Sequence, residues 1–230
     1  MARRVRYQVA MSLDGFIAGP NGEFDWIVMD PAIDFGALYS EFDTAVMGRK
    51  TYEVVTAQGG NGSIPGLEVI VFSRTRPAAV HPGVRIVNDD PRKVVTALKK
   101  ERGRDIWLYG GGELFRTLLD AGLVDTVEPA VIPVLLGAGI PLMPPGATTK
   151  LTLADEKTLP KSGIIALAYS IPGGVGPAPR VHYVKPNKSR PKPRTRAGKQ
   201  ARTTSATKRP TTKRPTTKRP TPKRPKRTSR

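Results

Sequence analysis

The sequence DIWLYGGGELFRTLLDAG, residues 105–122, joins a predicted buried strand to a predicted helix through three consecutive glycines. The apolar run before the glycines is typical of a strand, and the helix after them is predicted to end at Gly122. Here a parallel sheet offers bare backbone N–H groups and the positive end of a helix dipole to an anion. The triplet alone allows two interpretations: a phosphate-binding turn, or a turn that needs small residues only for packing.

Basic and hydroxyl residues follow two other predicted strands, in MGRKT (47–51) and SRT (73–75). In open α/β sheets, ligands bind at the carboxyl ends of the strands, so these segments and the glycine turn share one edge. A pyrophosphate on the glycine turn and a further phosphate held by Arg49, Ser73 and Arg74 would describe a phosphorylated dinucleotide. The alternative is that these arginines are solvated surface residues.

Strand and helix patterns alternate along most of the chain. We predict strands at 5–11, 44–48, 67–73, 85–88 and 105–112, helices at 35–42, 91–101 and 113–122, and a closing hairpin at 151–159 and 163–171. Such alternation predicts an α/β fold with a mostly parallel sheet, helices on both faces and an antiparallel pair at the end.

Charge divides the chain of 230 residues into two parts. The formal net charge is +19, but residues 185–230 carry 19 of the 38 Lys and Arg residues and no acid, so residues 1–184 are neutral overall. The basic part repeats TKRPT and lacks the apolar side chains that a folded core needs. We therefore expect a folded domain at 1–171, a linker at 172–184 and a disordered tail at 185–230.

The basic tail predicts non-specific, salt-dependent association with nucleic acid, because each neutralised phosphate releases counterions. It contains no aromatic residue that would stack on bases. A solubilising spacer and contact with anionic membranes are the alternatives. Nucleic-acid binding would place the protein at the nucleoid.

Composition also limits the kinds of site. The chain has no cysteine, which excludes disulfides and thiolate metal sites, and it has only two histidines, so we expect no metal. No segment reaches the roughly 20 apolar residues of a membrane span. The amino-terminal residues MARRVRYQVAMSLDG are interpreted as a first strand rather than a signal peptide, so the expected location is the cytoplasm.

Several ordered motifs resemble the dihydrofolate reductase superfamily. They are MGRKTYE, VFSRT, YGGGELFRTLL and VDTVEPAVIPVLLGAGIPL, and together they extend the resemblance over roughly residues 3–171. SLDGFIA and LLGAG are most similar to the branch that contains the reductase domain of the riboflavin-biosynthesis deaminase/reductase. The resemblance implies a three-layer fold with a twisted, mostly parallel sheet of eight strands.

The resemblance further implies NADPH bound in an extended form across the strand ends. Matching residues would contact the cofactor's phosphates, the adenosine 2′-phosphate, the pyrophosphate and the nicotinamide. The residues that match the contacts to the phosphates are Gly48, Arg49, Lys50 and Thr51, and those that match the 2′-phosphate site are Ser73 and Arg74. The pyrophosphate turn is matched by Gly110, Gly111 and Gly112 with the backbone of Glu113, Leu114 and Phe115. Ala10 matches the position beside the nicotinamide. The guanidinium group of Arg74 favours NADPH over NADH, because it suits a phosphate dianion.

The substrate side of the resemblance concerns an acid in the first helix. Folate-reducing members hold the pterin ring with such an acid, and Asp34 stands near the start of the helix predicted at 35–42. Asp34 would serve equally well as the N-cap of that helix. The folate enzymes complete their network with a threonine, which is not found around Ala130, so dihydrofolate reduction is the weaker alternative.

Four other residues are candidates for the pocket. Asp14 is a candidate polar or catalytic group, or else it forms a turn before Gly15. Glu41 is a second polar candidate. Trp26 would stack on a flat substrate or cap the core, and Tyr109 would form a pocket wall or pack inside.

The stretch SLDGFIAGPNGEFDW, residues 12–26, is predicted to be a mobile loop that closes over nicotinamide and substrate. Residues 12–45 contain no basic residue, so a phosphorylated substrate would need cations from elsewhere, such as a dimer partner. A homodimer is a further expectation, because relatives often dimerise.

These observations lead to one main hypothesis and two alternatives. The main one is an NADPH-dependent reductase that transfers hydride to a small heterocyclic or carbonyl substrate, similar to the riboflavin-pathway reductase domain. One alternative is a nucleic-acid-associated protein in which the tail carries the function and the reductase fold is sensory or vestigial. The other is dihydrofolate reductase.

Overall fold

A computed structural model describes residues 2–176 and 180–182 of the chain. The predicted tail at 185–230, and with it the predicted nucleic-acid contact, lies outside these residues. Four helices are described: α1 Phe35–Ser40, α2 Arg49–Ala57, α3 Pro91–Lys100 and α4 Gly112–Asp120. The strands are β1 Val5–Ser12, β2 Phe16–Ala18, β3 Phe42–Gly48, β4 Glu68–Phe72, β5 Ala79–His81, β6 Val84–Val87, β7 Asp105–Gly110, β8 Thr126–Ile132, β9 Ile140–Pro141, β10 Thr152–Thr158 and β11 Ile165–Ser170.

The main sheet has the strand order β10-β11-β8-β1-β7-β3-β4-β6-β5. Neighbours are parallel from β8 to β6, whereas β10, β11 and β5 run antiparallel at the two edges. The mostly parallel α/β sheet and the closing hairpin, now β10 and β11, are confirmed. The sheet has nine strands rather than eight, because Pro82 and Gly83 (φ 76°) turn the chain tightly between β5 and β6.

Two layers of helices cover the sheet. On one face, Leu114, Phe115 and Leu118 of α4 pack with Val95 and Leu98 of α3 against buried strand residues. On the other face, Tyr52 of α2 and Leu38 of α1 pack around Phe42, Met47 and Trp107. The predicted three-layer arrangement is therefore present, because helices on both faces pack apolar residues against the sheet.

The sheet parts near its centre. Strand β1 pairs with β7 only from Val5 to Tyr7, and the last pair joins Tyr7 to Leu108. Beyond that point β1 continues to pair with β8 as far as Ser12 and Ile132. Strand β7 meanwhile stays with β3 up to the pair between Met47 and Gly110. A gap therefore opens between the carboxyl ends of β1 and β7.

Two findings limit what else the fold contains. Within residues 2–176 and 180–182, no helix has the length and apolar character of a transmembrane span. The same residues contain no group of three or more histidines and acids that could hold a metal ion.

Candidate active site

A cleft of about 1420 Å³ runs along the carboxyl ends of the parallel strands. One end lies at β3, β4 and the start of α3, and we call it the cofactor end. The other end lies over β1, β8 and β11, and we call it the substrate end. The volume exceeds the roughly 300–1,000 Å³ of an ordinary small-molecule pocket, so it accommodates a dinucleotide together with a second molecule.

The glycine turn connects β7 to α4 and lines the middle of the cleft. Gly111 is the N-cap of α4 and has no side chain to cap it, so the first-turn amide groups remain available to a ligand. Close packing requires these glycines. A Cβ atom on Gly111 would lie 3.2 Å from the Thr51 hydroxyl, and one on Gly112 would lie 2.7 Å from the carbonyl oxygen of Leu142.

Glu113, Leu114 and Phe115 are predicted to offer backbone groups to a pyrophosphate, but Phe115 lies in a different environment from the other two. Glu113 and Leu114 line the cleft. The amide of Phe115 donates to the carbonyl of Gly111 at 3.0 Å, and its ring stacks on Tyr7 with centroids 4.0 Å apart. Phe115 therefore supports the turn from the core, and its amide is already used inside the helix.

Helix α2 provides a second uncapped N-terminus beside the first. Its N-cap, Gly48, makes no side-chain capping hydrogen bond, and Gly48, Arg49, Lys50 and Thr51 all line the cleft. Arg49 forms an ion pair with Glu53 at 2.7 Å on the same helix. Two positive helix ends therefore face one channel, which favours a ligand with several anionic groups.

Ser73 and Arg74 follow β4 and line the cofactor end. The buried Ser73 hydroxyl accepts the amides of Arg76 at 2.8 Å and Thr75 at 3.3 Å, which leaves its proton free to donate. Asn88 fixes this loop by donating to the carbonyl groups of Ser73 (2.6 Å) and Arg76 (2.7 Å). Arg74 is exposed and forms no ion pair with the residues that the structure describes.

The substrate end begins at the gap between β1 and β7. Ala10 of β1 and Tyr109 of β7 both line the cleft there. The ring of Tyr109 packs edge-on against Trp107, with centroids 4.8 Å apart. Burial, and then the nearby Tyr39, raise the pKa of Tyr109 above its ordinary value, so its hydroxyl stays protonated at neutral pH. Tyr109 thus lines the cleft, and its contact with a substrate stays a prediction.

The structure places the candidate acids outside the cleft lining. Asp34 is the N-cap of α1, and its carboxylate accepts the amide of Ala37 at 2.9 Å. Asp14 accepts the amides of Gly137 at 2.7 Å and Leu136 at 3.0 Å, so it holds two loops together. Glu41 forms an ion pair with Arg6. Each carboxylate therefore has a structural partner.

Trp26 also lies away from the cleft lining. It packs beside the buried cluster of Ile132, Leu159 and Ile164, and its indole N–H donates to the carbonyl of Glu23 at 3.1 Å. Of the two interpretations of Trp26, the structure shows the packing contact.

The predicted mobile loop at 12–26 is joined to a second loop. Strand β2 pairs with β9, and the amides of Leu13 and Leu142 bond to the carbonyls of Val134 and Gly15 at 2.9 Å each. Ile17 and Ala18 of this loop line the cleft. Any movement of the loop over a ligand would therefore involve residues 134–142 as well.

Four polar or charged residues that line the substrate end were not among the predicted site residues. Gln8 and Glu128 line the substrate end, and so do Arg180 and His182. Gln8 donates to Glu128 at 2.5 Å. The sequence does contain a pattern that could have predicted Gln8. Gln8 lies two positions after Arg6, and polar residues two positions apart lie on the same face of a strand. Two basic residues of the same chain, Arg180 and His182, therefore line this end.

Comparison with known proteins identifies the family. Residues 3–164 match the RibD C-terminal domain. The chain belongs to the RibD C-terminal domain family. A curated relative in Bacillus subtilis, the uncharacterised protein YyaP, is 35% identical over 179 residues, which cover 73% of this chain and 94% of YyaP. The riboflavin biosynthesis protein RibD of Mycobacterium tuberculosis is 29% identical over 154 residues, 59% of this chain and 44% of that protein.

Solved structures of this family's fold include two useful comparisons. A proposed riboflavin biosynthesis protein from Shewanella sp. PV-4 matches with a TM-score of 0.64 and 25% identity, over 74% of this chain and 99% of that one. Dihydrofolate reductase from Enterococcus faecalis, in complex with NADP(H), matches with a TM-score of 0.56 and 17% identity over 74% and 99%. The predicted dihydrofolate-reductase-like fold is confirmed.

Proposed function

We propose that this member of the RibD C-terminal domain family is an NADPH-dependent reductase of a small heterocyclic or carbonyl substrate. The observation that carries the proposal is the alignment of three anion-binding elements along one cleft. The Ser73–Arg74 pair after β4, the uncapped N-terminus of α2 after β3 and that of α4 after β7 follow one another toward the gap beside Ala10. The complex of the E. faecalis enzyme with NADP(H) supports the same cofactor class.

The residues present suit this cofactor. When bound, NADPH would supply a hydride at its nicotinamide ring. Gly110, Gly111 and Gly112 allow a pyrophosphate to approach the first-turn amides of α4, because a Cβ atom on Gly111 or Gly112 would crowd the turn. The Ser73 hydroxyl and the Arg74 guanidinium would hold the 2′-phosphate by charge-assisted hydrogen bonds.

The chain's own contribution to the reaction is position and exclusion of water. The gap between β1 and β7 admits a flat ring beside Ala10, and Tyr109 closes one side of it. Ile17 and Ala18 from the joined loops close another. The candidate acids Asp14, Asp34 and Glu41 each have a structural partner outside the cleft lining. We therefore favour the protonated hydroxyl of Tyr109 as the side-chain proton donor in the pocket.

The proposal is tested by cofactor binding to the full chain. NADPH and NADH are titrated by fluorescence against the wild type, Arg74→Ala and the control Arg102→Ala, which removes an exposed charge away from the cleft. We expect NADPH to bind at least tenfold more tightly than NADH in the wild type and the control, and the preference to disappear in Arg74→Ala. Equal affinity of the wild type for both cofactors would overturn the proposal. NADPH consumption against pterins, pyrimidines, quinones and small carbonyls then identifies the substrate class.

A second function is favoured by the charge of residues 185–230. Nineteen basic residues without an acid support non-specific nucleic-acid binding. Filter binding of duplex DNA to the full chain and to a chain ending at residue 184 tests it. We expect affinity to fall steeply with salt and to be lost on truncation, with unchanged NADPH binding. Equal DNA binding by both chains would reject a role for the tail.

A further inference from the structure

We propose that residues 180–182 form a wall of the substrate end and that Arg180 selects substrates that carry an anionic group, either a carboxylate or a phosphate. The match to the family ends at residue 164, so these residues lie beyond it. All three line the cleft. The inference rests on the proposed reductase function for the identity of the ligand as a substrate.

Two contacts hold this short segment in place. The amide of Val181 donates to the carboxylate of Asp155 on β10 at 2.9 Å. The Nε2 atom of His182 lies 3.1 Å from Oε1 of Glu41, which follows α1. Contacts with the edge hairpin and with the end of α1 set the segment beside the cleft rather than in solvent.

The segment adds a wall to a groove that the sheet and α1 already form. Its floor is made by neighbouring strands, with Gln8 on β1, Glu128 on β8 and Ala166 on β11. Leu38 and Tyr39 of α1 line the same cleft. Residues 180–182 therefore add a third side to this groove, beside the sheet and α1.

Among the residues that the structure describes, Arg180 is the cation of the groove for which no ion pair is found. Glu128 is bound by Arg6 through two hydrogen bonds of 2.8 Å, and Glu41 pairs with Arg6 and lies beside His182. Arg180 is exposed and forms no ion pair within residues 2–176 and 180–182. Arg6 holds both Glu41 and Glu128. The exposed guanidinium of Arg180 at the rim of the groove can therefore bind an anion, and its planar fork suits carboxylate and phosphate.

Other basic residues that line the cleft lie at its opposite end. Arg49, Lys50 and Arg74 follow β3 and β4, and Arg92 is held by Asp90 at 2.8 Å. Among the described residues, Arg180 and His182 are the basic groups of the substrate end. Anion recognition there is thus separate from the phosphate contacts expected for the cofactor.

The position of His182 favours recognition over proton donation. Its neighbour Glu41 pairs with Arg6, which precedes Ala10 by four residues on β1. Four residues of extended strand span about 13 Å, which separates the backbone of Arg6 from the expected hydride position beside Ala10. We therefore expect an elongated substrate whose reducible carbon lies near Ala10 and whose anionic group reaches Arg180.

The test follows His182 by NMR in the full chain, with ¹³C-labelled histidine. The chain has two histidines, and exposed His81 on β5 is a built-in control. Inorganic phosphate and, separately, acetate are titrated at constant ionic strength and pH. We expect a saturable shift of the His182 signal and none of the His81 signal. The relative affinity for phosphate and acetate shows which anion the groove prefers.

Two variants make the result specific. Arg180→Ala should weaken the anion affinity reported by His182 at least tenfold, whereas Arg102→Ala should leave it unchanged. No saturable His182 shift with either anion, or equal affinity in Arg180→Ala and the wild type, would overturn the proposal. Fluorescence titration of NADPH on the same samples tests the reductase function independently, because it reports on the cofactor end.

Discussion

Arg6 and Glu128 form a two-pronged ion pair inside the sheet, with Nε bonded to Oε1 and Nη2 to Oε2, both at 2.8 Å. Both side chains are almost fully buried. Burial acts to lower the pKa of Arg6, but hydrogen bonds and charges from Glu128 and Glu41 outweigh it and hold that pKa above its ordinary value. Arg6 therefore stays fully charged beneath the substrate end and balances the charge of Glu128 there.

Removing Glu128 should destabilise the protein, because Arg6 would remain buried and charged. We expect Glu128→Ala to lower the free energy of unfolding by about 3–5 kcal/mol, because Arg6 is left without its main counter-charge. Urea unfolding followed by circular dichroism measures the change. Glu156→Ala, at an exposed position of β10, is the control and should change stability by less than about 0.5 kcal/mol. A similar loss in both variants would contradict the assigned role of the pair.

Asp34 should behave as a helix cap. We expect Asp34→Ala to cost about 1 kcal/mol of stability and Asp34→Ser to restore most of it, since serine also accepts the Ala37 amide. Turnover of NADPH with the substrate found in the panel should stay within twofold in both variants. A hundredfold loss of turnover in Asp34→Ser, with stability retained, would show a catalytic carboxylate instead.

Gly112 should be intolerant of a side chain. An added Cβ atom would meet the backbone oxygens of Leu142 and Pro141 at 2.7 and 3.0 Å, so residues 141–143 would have to shift. We expect Gly112→Ala to cost about 1–3 kcal/mol of stability and to weaken NADPH binding. Gly48→Ala is the matched control for stability, because φ is −80° there and no atom lies within 4 Å of its added Cβ. Thermal unfolding of both variants decides the comparison.

The Ser73 hydroxyl should contribute to the choice between NADPH and NADH. We expect Ser73→Ala to weaken NADPH binding about tenfold or more, the effect of losing one charge-assisted hydrogen bond of roughly 1.5–3 kcal/mol, with little change for NADH. Ser73→Thr keeps the hydroxyl and should retain the preference. Equal losses for both cofactors would mean that the substitution disturbs the loop held by Asn88 rather than a phosphate contact.

The hydrogen bonds of Asp14 between the two cleft loops should weaken at acid pH. The Ser12 hydroxyl and then the Gly137 amide lower the pKa of Asp14 below its ordinary value. Its contribution is therefore present above the unfolded pKa, near 4, and is lost as pH falls through the lower folded value. We expect the thermal midpoint of the wild type to exceed that of Asp14→Asn at pH 7 and the difference to shrink below about pH 4. A difference that stays constant from pH 7 to pH 3 would contradict this role.

Local patterns predicted the elements of the cofactor end well. The glycine turn, the Met47–Thr51 segment and the Ser73–Arg74 pair each combine a strand end with a loop or helix start, and parallel strands bring their carboxyl ends to one edge. Asp34 shows the limit of the same method. A helix cap and a substrate-binding acid require the same carboxylate near the same helix start, and only the 2.9 Å contact with Ala37 shows the capping bond.

The sequence by itself predicted the alternation of the main strands and helices, the family, and the position of the glycine turn and the Ser73–Arg74 pair at strand ends, because each depends on neighbouring residues. The short strands β2, β5 and β9 were not predicted. The tertiary structure decided which polar side chains meet at the substrate end. Arg6 contacts Glu128 across 122 sequence positions, and Glu41 lies beside His182 although the two are 141 positions apart. No local pattern carries such pairings, since burial and charge neutralisation depend on the packing of distant strands. For the same reason, a segment that reads as a linker in the sequence stands in the structure as a wall of the cleft.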